Sequence, residues 1–296
     1  MIAVMGATGN VGSKVANLLL QAGEDVRALQ HGRDLTALRE AGAEVLKGDA
    51  MIADELMAFF DGAVAALVLL PENVADPAFV ENRLVMSRAI RDALRASGVA
   101  HVVALSAVGA DRADVPGPPG GLHRFERDLS ELEETNVLVL RSAAYMDYLL
   151  AALPMIQDQH INGSAIKADV RFPMVATQDV AIEAAERLRH RDFTGHEVKF
   201  MLGPEDLTMA EATTAIGRRL GTPDLPYVEF PPDGVKAALV GAGMSDEVAG
   251  LIVDLQLVHN EGDFLGGVEG TAASPSATRL EDFLNYALPS DAGADR

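Results

Sequence analysis

The chain has 296 residues, 49% of them hydrophobic, which is enough for one large domain or two unequal ones around a buried core. Its 24 Lys and Arg stand against 44 Asp and Glu, and the net charge of −20 argues against nucleic acid, whose binding rests on clustered basic side chains. There is no cysteine, which excludes disulfides, thiolate nucleophiles and cysteine-ligated zinc and fits a cytoplasmic protein. No apolar run approaches the ~20 residues of a membrane helix, and no basic segment precedes the first apolar residues, so neither a membrane span nor export is expected.

In chain order, the apolar run Ile2 to Met5 reads as a strand that leads into Gly6-Ala7-Thr8-Gly9-Asn10-Val11-Gly12. The helix that follows spans Val11–Ala22, with Val11, Val15, Leu18, Leu19 and Ala22 at helical spacing, and a second strand covers Asp25–Leu29. A glycine-rich turn between strand and helix lets backbone N–H groups approach a pyrophosphate while the helix aims its positive end at it. Gly6, Thr8, Gly9, Asn10, Val11 and Gly12 are therefore predicted to bind a dinucleotide, although a tight turn that has lost its ligand would read the same way.

Further strands are expected at Glu44–Gly48, Ala65–Leu70, His101–Leu105 and Val137–Leu140, separated by helical segments such as Pro77–Ser97. Continuous Val, Leu and Ala runs suit parallel strands covered on both faces. The fold class is thus α/β, a doubly wound and mostly parallel sheet with a smaller C-terminal lobe. The dinucleotide-binding domain is placed at residues 1–141, completed by about 175–203, and the lobe at 142–174 and 204–289 with a polar, disordered tail at 290–296. Within the second half, a helix Asp179–Leu188 capped by Asp179, a strand Val198–Leu202 and helices over Thr208–Leu220 and Asp233–His259 are expected.

Several of these pieces together resemble the NmrA-like group of atypical short-chain dehydrogenases, relatives of quinone reductases and isoflavone reductase-like proteins. They are GATGNVG at 6–12, Gly48-Asp49, Leu69-Leu70-Pro71, Ser106-Ala107-Val108-Gly109, Gln178-Asp179-Val180-Ala181, Leu202-Gly203-Pro204 and Leu280-Glu281-Asp282-Phe283, spread over nearly the whole chain. The resemblance implies a nicotinamide cofactor at the carboxyl ends of the strands, with Asp49, Leu70 and Pro71 among its contacts, and a lobe closing over the substrate. It also implies NAD(P)H-dependent hydride transfer to a small apolar acceptor such as a quinone or enone, or else a non-catalytic NAD(P)-binding redox sensor. A small-molecule substrate is the expected partner, with assembly into a homodimer left open.

The end of the second strand, Leu29-Gln30-His31-Gly32-Arg33, has no acid for a ribose 2′-hydroxyl, while His31 and Arg33 suit a 2′-phosphate, so NADPH is expected over NADH. Tyrosines stand at 145, 148, 227 and 286 with Leu149, Ala152, Pro231 and Ser290 four residues on. None therefore has the lysine that activates a phenol in ordinary short-chain dehydrogenases. His123 is the candidate proton carrier, since an imidazole changes protonation near neutral pH, and a solvated histidine at a helix start is the alternative. Ser106 either hydrogen-bonds a substrate oxygen or caps a turn. Tyr145, Met146, Tyr148 and Met155 line an apolar pocket or form plain core. HxxxH, HExxH and GxSxG spacings are absent, so metal hydrolysis and triad catalysis have no support.

Overall fold

The computed structural model describes residues 1–32, 34–262 and 278–288. Its first half alternates β1 (Ile2–Val4), α1 (Gly12–Gln21), β2 (Val26–Gln30), α2 (Thr36–Glu40), β3 (Glu44–Lys47), α3 (Ala53–Phe60), β4 (Ala65–Val68), α4 (Phe79–Ser97), β5 (His101–Ala107), α5 (Pro118–Ser130) and β6 (Asn136–Ser142). Shorter elements follow: β7 (Ala144–Tyr145), a 3₁₀ segment Met146–Ala152, α6 (Leu153–Gln159), β8 (Asn162–Ser164), β9 (Arg171–Val175), α7 (Thr177–His190) and β10 (His196–Met201). The chain continues through β11 (Asp206–Thr208), α8 (Met209–Arg219), β12 (Tyr227–Glu229), α9 (Pro232–Gly241), α10 (Asp246–His259) and α11 (Leu280–Ala287).

Seven strands form one parallel sheet in the order β10-β6-β5-β4-β1-β2-β3. Alternate residues of each strand enter different cores, which explains why the strands read as unbroken apolar runs. Ile2, Val4 and Ala28 pack with Val15 and Leu19 of α1 and with Val180, Ala184 and Leu188 of α7. Ala3, Met5, Ala66 and Val68 pack instead with Phe59 and Phe60 of α3, Ile90 and Leu94 of α4, and Phe125 and Leu129 of α5. Each large apolar side chain so buried contributes roughly 1.5–3 kcal/mol, so both faces hold the sheet between helical layers. Strand order reverses between β1 and β4. Open α/β sheets take ligands in the crevice outside the carboxyl ends at such a reversal.

Beyond β6 lies a second packed body. It contains a mixed sheet β11-β9-β7 and a parallel pair β12-β8. Met146, Leu149, Phe172, Ile216, Leu225 and Phe283 are central to its core. Its α8 starts at a reciprocal cap, Thr208 accepting from the Glu211 N–H while Glu211 accepts from the Thr208 N–H.

Three expectations change. The helical stretch Asp233–His259 is two helices, because Gly243 takes a left-handed φ of 98° and Ser245 opens α10 by accepting from the Val248 N–H. Asp179 is no N-cap: α7 begins at Thr177 after Ala176, and Asp179 lies buried inside the first turn, accepting from the N–H and hydroxyl of Thr278. β10 begins at His196, two residues before the expected start. The expected disordered tail from Ser290 lies outside the described residues. Among the described residues, no helix is long and apolar enough to cross a membrane.

Candidate functional site

The turn between β1 and α1 is built on close backbone approach. Gly6 adopts φ 64°, a left-handed conformation that glycine takes without a Cβ penalty, and its carbonyl accepts from the Gly9 N–H at 2.8 Å. A Cβ on Gly12 would stand 2.3 Å from that same carbonyl oxygen, so only glycine lets α1 begin this near the strand. Gly12 and Val11 are buried, whereas Gly9 and Asn10 are exposed and Thr8 is half-exposed. The accessible rim is therefore Thr8 to Asn10, and the Val11 side chain and Gly12 serve packing. Val11 gives α1 no side-chain cap and the first turn holds no acid, so, apart from the Ser13 N–H that donates to the Gly9 carbonyl at 3.1 Å, the helix start leaves its N–H groups and positive dipole end to an anion. The cradle fits a pyrophosphate.

One hollow lies at the ends of β2 and β3 and a second borders this turn. The first is lined by Gln30, His31, Gly32, Lys47, Gly48, Asp49 and Glu55, which brings His31 and Asp49 together from the ends of β2 and β3. Asp49 is held in place, its carboxylate accepting from the Met51 N–H at 2.9 Å and its own N–H donating to Glu55 at 2.7 Å. Lys47 and Glu55 went unpredicted. Arg33 lies outside the described residues. The second hollow is lined by residues including Ala7, Thr8, Ser13, Asn17 and Asp34. Asp34 is already engaged at the start of α2, accepting from the Thr36 N–H at 3.2 Å and hydroxyl at 2.9 Å. After β4, Leu70 is 4% exposed and its side chain belongs to the core on the α3 and α4 face, while Pro71 is half-buried.

At the ends of β5 and β6, Ser106 is buried and its hydroxyl donates to Glu126 at 2.5 Å. Glu126 also receives two bonds from Arg141, Nε at 3.1 Å and Nη2 at 2.7 Å, and Arg141 reaches Asp111 at 3.7 Å. The Ser106 proton is thus spent on a bridge between β5 and α5, which corrects its expected role at a substrate oxygen. His123, half-buried on α5, has its Nδ1 at 2.8 Å from the Ala110 carbonyl oxygen. A carbonyl only accepts, so Nδ1 carries the hydrogen and Nε2 is the nitrogen left to take or give a proton.

Tyr145 and Tyr148 stand together, ring centroids 5.7 Å apart, where the chain leaves the main sheet. Burial, with the Glu72 and Asp147 charges behind it, pushes the Tyr145 phenol up to about 12. Burial raises the Tyr148 phenol as well, although 59% of this residue is exposed. Both phenols stay protonated at neutral pH. Met146 is fully buried in the core of the second body, which corrects its assignment to the pocket, and Met155 is half-buried on α6. Asp147 between the tyrosines accepts from the Thr177 hydroxyl at 2.8 Å, and Lys14 donates to the same Thr177 at 2.6 Å, tying α1, α7 and the cleft together.

Arg83 of α4 completes this region. It is 2% exposed, lies 4.9 Å over the Phe79 ring and contacts Glu72 at 3.4 Å. The buried face of α4 includes Phe79, Arg83, Ser87, Ile90 and Leu94, so an arginine in register with an apolar stripe was the available signal for it.

Comparison with known proteins agrees with this geometry. The chain is 26% identical to an NAD(P)H azoreductase of Xenophilus azovorans over 97% of its own length and 96% of that protein. It is 30% identical to a (4-alkanoyl-5-oxo-2,5-dihydrofuran-3-yl)methyl phosphate reductase of Streptomyces griseus, over 81% of this chain and 80% of that protein. An NADPH-dependent quinone oxidoreductase from Escherichia coli, solved with NADPH, shares its fold with a TM-score of 0.78 at 21% identity, covering 97% of this chain and 99% of that one. The profile of the NmrA-like family matches residues 1–284, and the chain belongs to that family.

Proposed function

We propose that this protein is an NAD(P)H-dependent reductase of a small apolar acceptor, a quinone or enone. The observation that carries the reading is the β1–α1 cradle at the strand reversal, with its uncapped, acid-free helix start and a Gly12 whose Cβ would strike backbone. The likeness to an azoreductase over nearly the full length of both chains supports reduction as the reaction class. A bound nicotinamide supplies the hydride in such a reaction.

The chain's own residues do the rest. Thr8, Gly9, Asn10 and the first-turn N–H groups of α1 hold the pyrophosphate. His31 and Lys47 face the hollow at the ends of β2 and β3, where the carboxylates of Asp49 and Glu55 are held by backbone N–H groups, and Asp34 of the other hollow is engaged with Thr36; the two basic side chains favour a 2′-phosphate and hence NADPH. The Tyr145 and Tyr148 phenols orient the acceptor as neutral donors, and the second body shields it from water. His123 releases a proton from Nε2 while its Nδ1–H holds Ala110. A quinone needs little acid help, so the absence of a Tyr-x-x-x-Lys pair is compatible with this chemistry.

The test follows NADPH and NADH consumption with a panel of quinones, enones and azo compounds. The expected result is catalysed consumption with at least one quinone or enone and a higher kcat/KM for NADPH. Tight NADPH binding without turnover of any acceptor would replace the reductase by a redox sensor.

A further inference from the structure

Arg83 is a buried charge whose compensation is a single ion contact and the face of the Phe79 ring. Its guanidinium is 2% exposed, and taking a cation out of water costs several kcal/mol unless an anion and hydrogen bonds replace the solvent. The compensation on hand is thin. Glu72 reaches it from 3.4 Å, longer than a good charge-assisted bond, and the Glu72 side chain is itself 44% exposed. Nε is buried with no hydrogen-bond partner. Burial accordingly works against the charged form of Arg83, with Glu72 only partly offsetting it.

The surroundings show where a partner would come from. Gly121 of α5 packs against Nε, and a Cβ there would stand only 3.1 Å from it, so a larger residue would crowd that flank of the guanidinium. The Tyr148 phenol lies within electrostatic reach of Arg83, and Tyr148 is the exposed member of the aromatic pair. A buried cation with an orphan N–H thus lies near the protonated Tyr148 phenol, which the Tyr145 ring flanks. Glu72 is the loosely held anion beside Arg83.

We propose that Arg83 anchors an oxyanion of the acceptor, a carboxylate or sulfonate carried on an aromatic or quinone ring that packs against Tyr145 and Tyr148. The incoming oxyanion takes the place of Glu72 and satisfies Nε, while Glu72, half in solvent already, swings out. This assignment rests on the reductase reading, and it makes the preferred acceptors anionic aromatics despite a net charge of −20 that repels them at long range.

The experiment measures binding without turnover. NADP⁺-loaded protein is titrated calorimetrically with a naphthoquinone sulfonate and with its unsulfonated parent, in the wild type, Arg83→Gln and Glu72→Gln. Arg83→Gln is expected to weaken sulfonate binding about 10- to 100-fold while changing the parent far less, the reach of a lost charge-assisted pair. Glu72→Gln, which keeps a hydrogen-bonding amide beside Arg83 and whose folding is checked by thermal unfolding, is expected to tighten sulfonate binding about 2- to 5-fold relative to the parent by removing the competitor. An unchanged sulfonate-to-parent ratio in Glu72→Gln overturns the proposal even if Arg83→Gln fails to fold. An equal loss of both ligands in Arg83→Gln, or a loss of NADP⁺ affinity instead, also overturns it. Failure of the wild type to bind NADP⁺ at all would strike the reductase reading itself.

Discussion

At His123 a single hydrogen bond decides which nitrogen is chemically free. Because the Ala110 carbonyl oxygen holds Nδ1–H at 2.8 Å, any proton exchanged with an acceptor passes through Nε2. His123→Ala is therefore expected to lower turnover about 10- to 1000-fold with NADPH affinity nearly unchanged, checked by steady-state kinetics on the best acceptor beside a binding titration. Retained turnover would reduce the imidazole to a brace for the loop after β5. The residue types were legible here before the contacts were. A histidine in this stretch of α5 stands out in a sequence, but Ser106 and Glu126 lie 20 residues apart, and only the packing of α5 on β5 joins them. Tyr145, Met146 and Tyr148 show the same limit: one spacing serves a cleft or a core, and in the fold Met146 turns fully inward while Tyr148 stays 59% exposed.

Among the elements, the β1–α1 unit has the least room for change. Gly12→Val puts its Cβ within 2.3 Å of the Gly6 carbonyl oxygen, so the helix start must move away from the strand. Such overpacking costs typically ~1–3 kcal/mol, and the variant is expected to show both a lower Tm and loss of NADPH binding, read by thermal unfolding with and without cofactor. A variant of wild-type Tm would contradict the packing role given to Gly12. This unit was readable because its constraint is local: strand, glycine turn and helix follow within 21 residues. The single helix expected over Asp233–His259 failed for an equally local reason, since apolar periodicity continues across Gly241-Ala242-Gly243 while the backbone turns left-handed at Gly243. Lys47 escaped notice because a lysine ending a strand is ordinary until β2 and β3 pair and set it beside His31.

For the whole molecule, the seven-stranded parallel sheet and the second body are tied together through Lys14, Thr177 and Asp147, and the proposed cleft lies at that junction. The α/β class followed from unbroken apolar runs alternating with helices, a signal that tertiary packing reinforces because each strand is covered on both faces. Arg83 was hidden for the complementary reason. Its meaning depends on Glu72, Gly121 and Tyr148, which the fold gathers from three separate segments. Everything assigned to the cleft depends on a dinucleotide lying across the carboxyl edge, and the most direct measurement is an equilibrium titration of NADPH into the wild type and Gly9→Val. Gly9 is exposed at the rim, and a Cβ there would meet the Gly6 carbonyl oxygen at 3.3 Å, so the substitution obstructs the anion site with far less strain than one at Gly12. Saturable binding to the wild type and affinity at least about tenfold weaker in a folded Gly9→Val are expected. No binding to the wild type, or equal affinity in both proteins, would contradict the account.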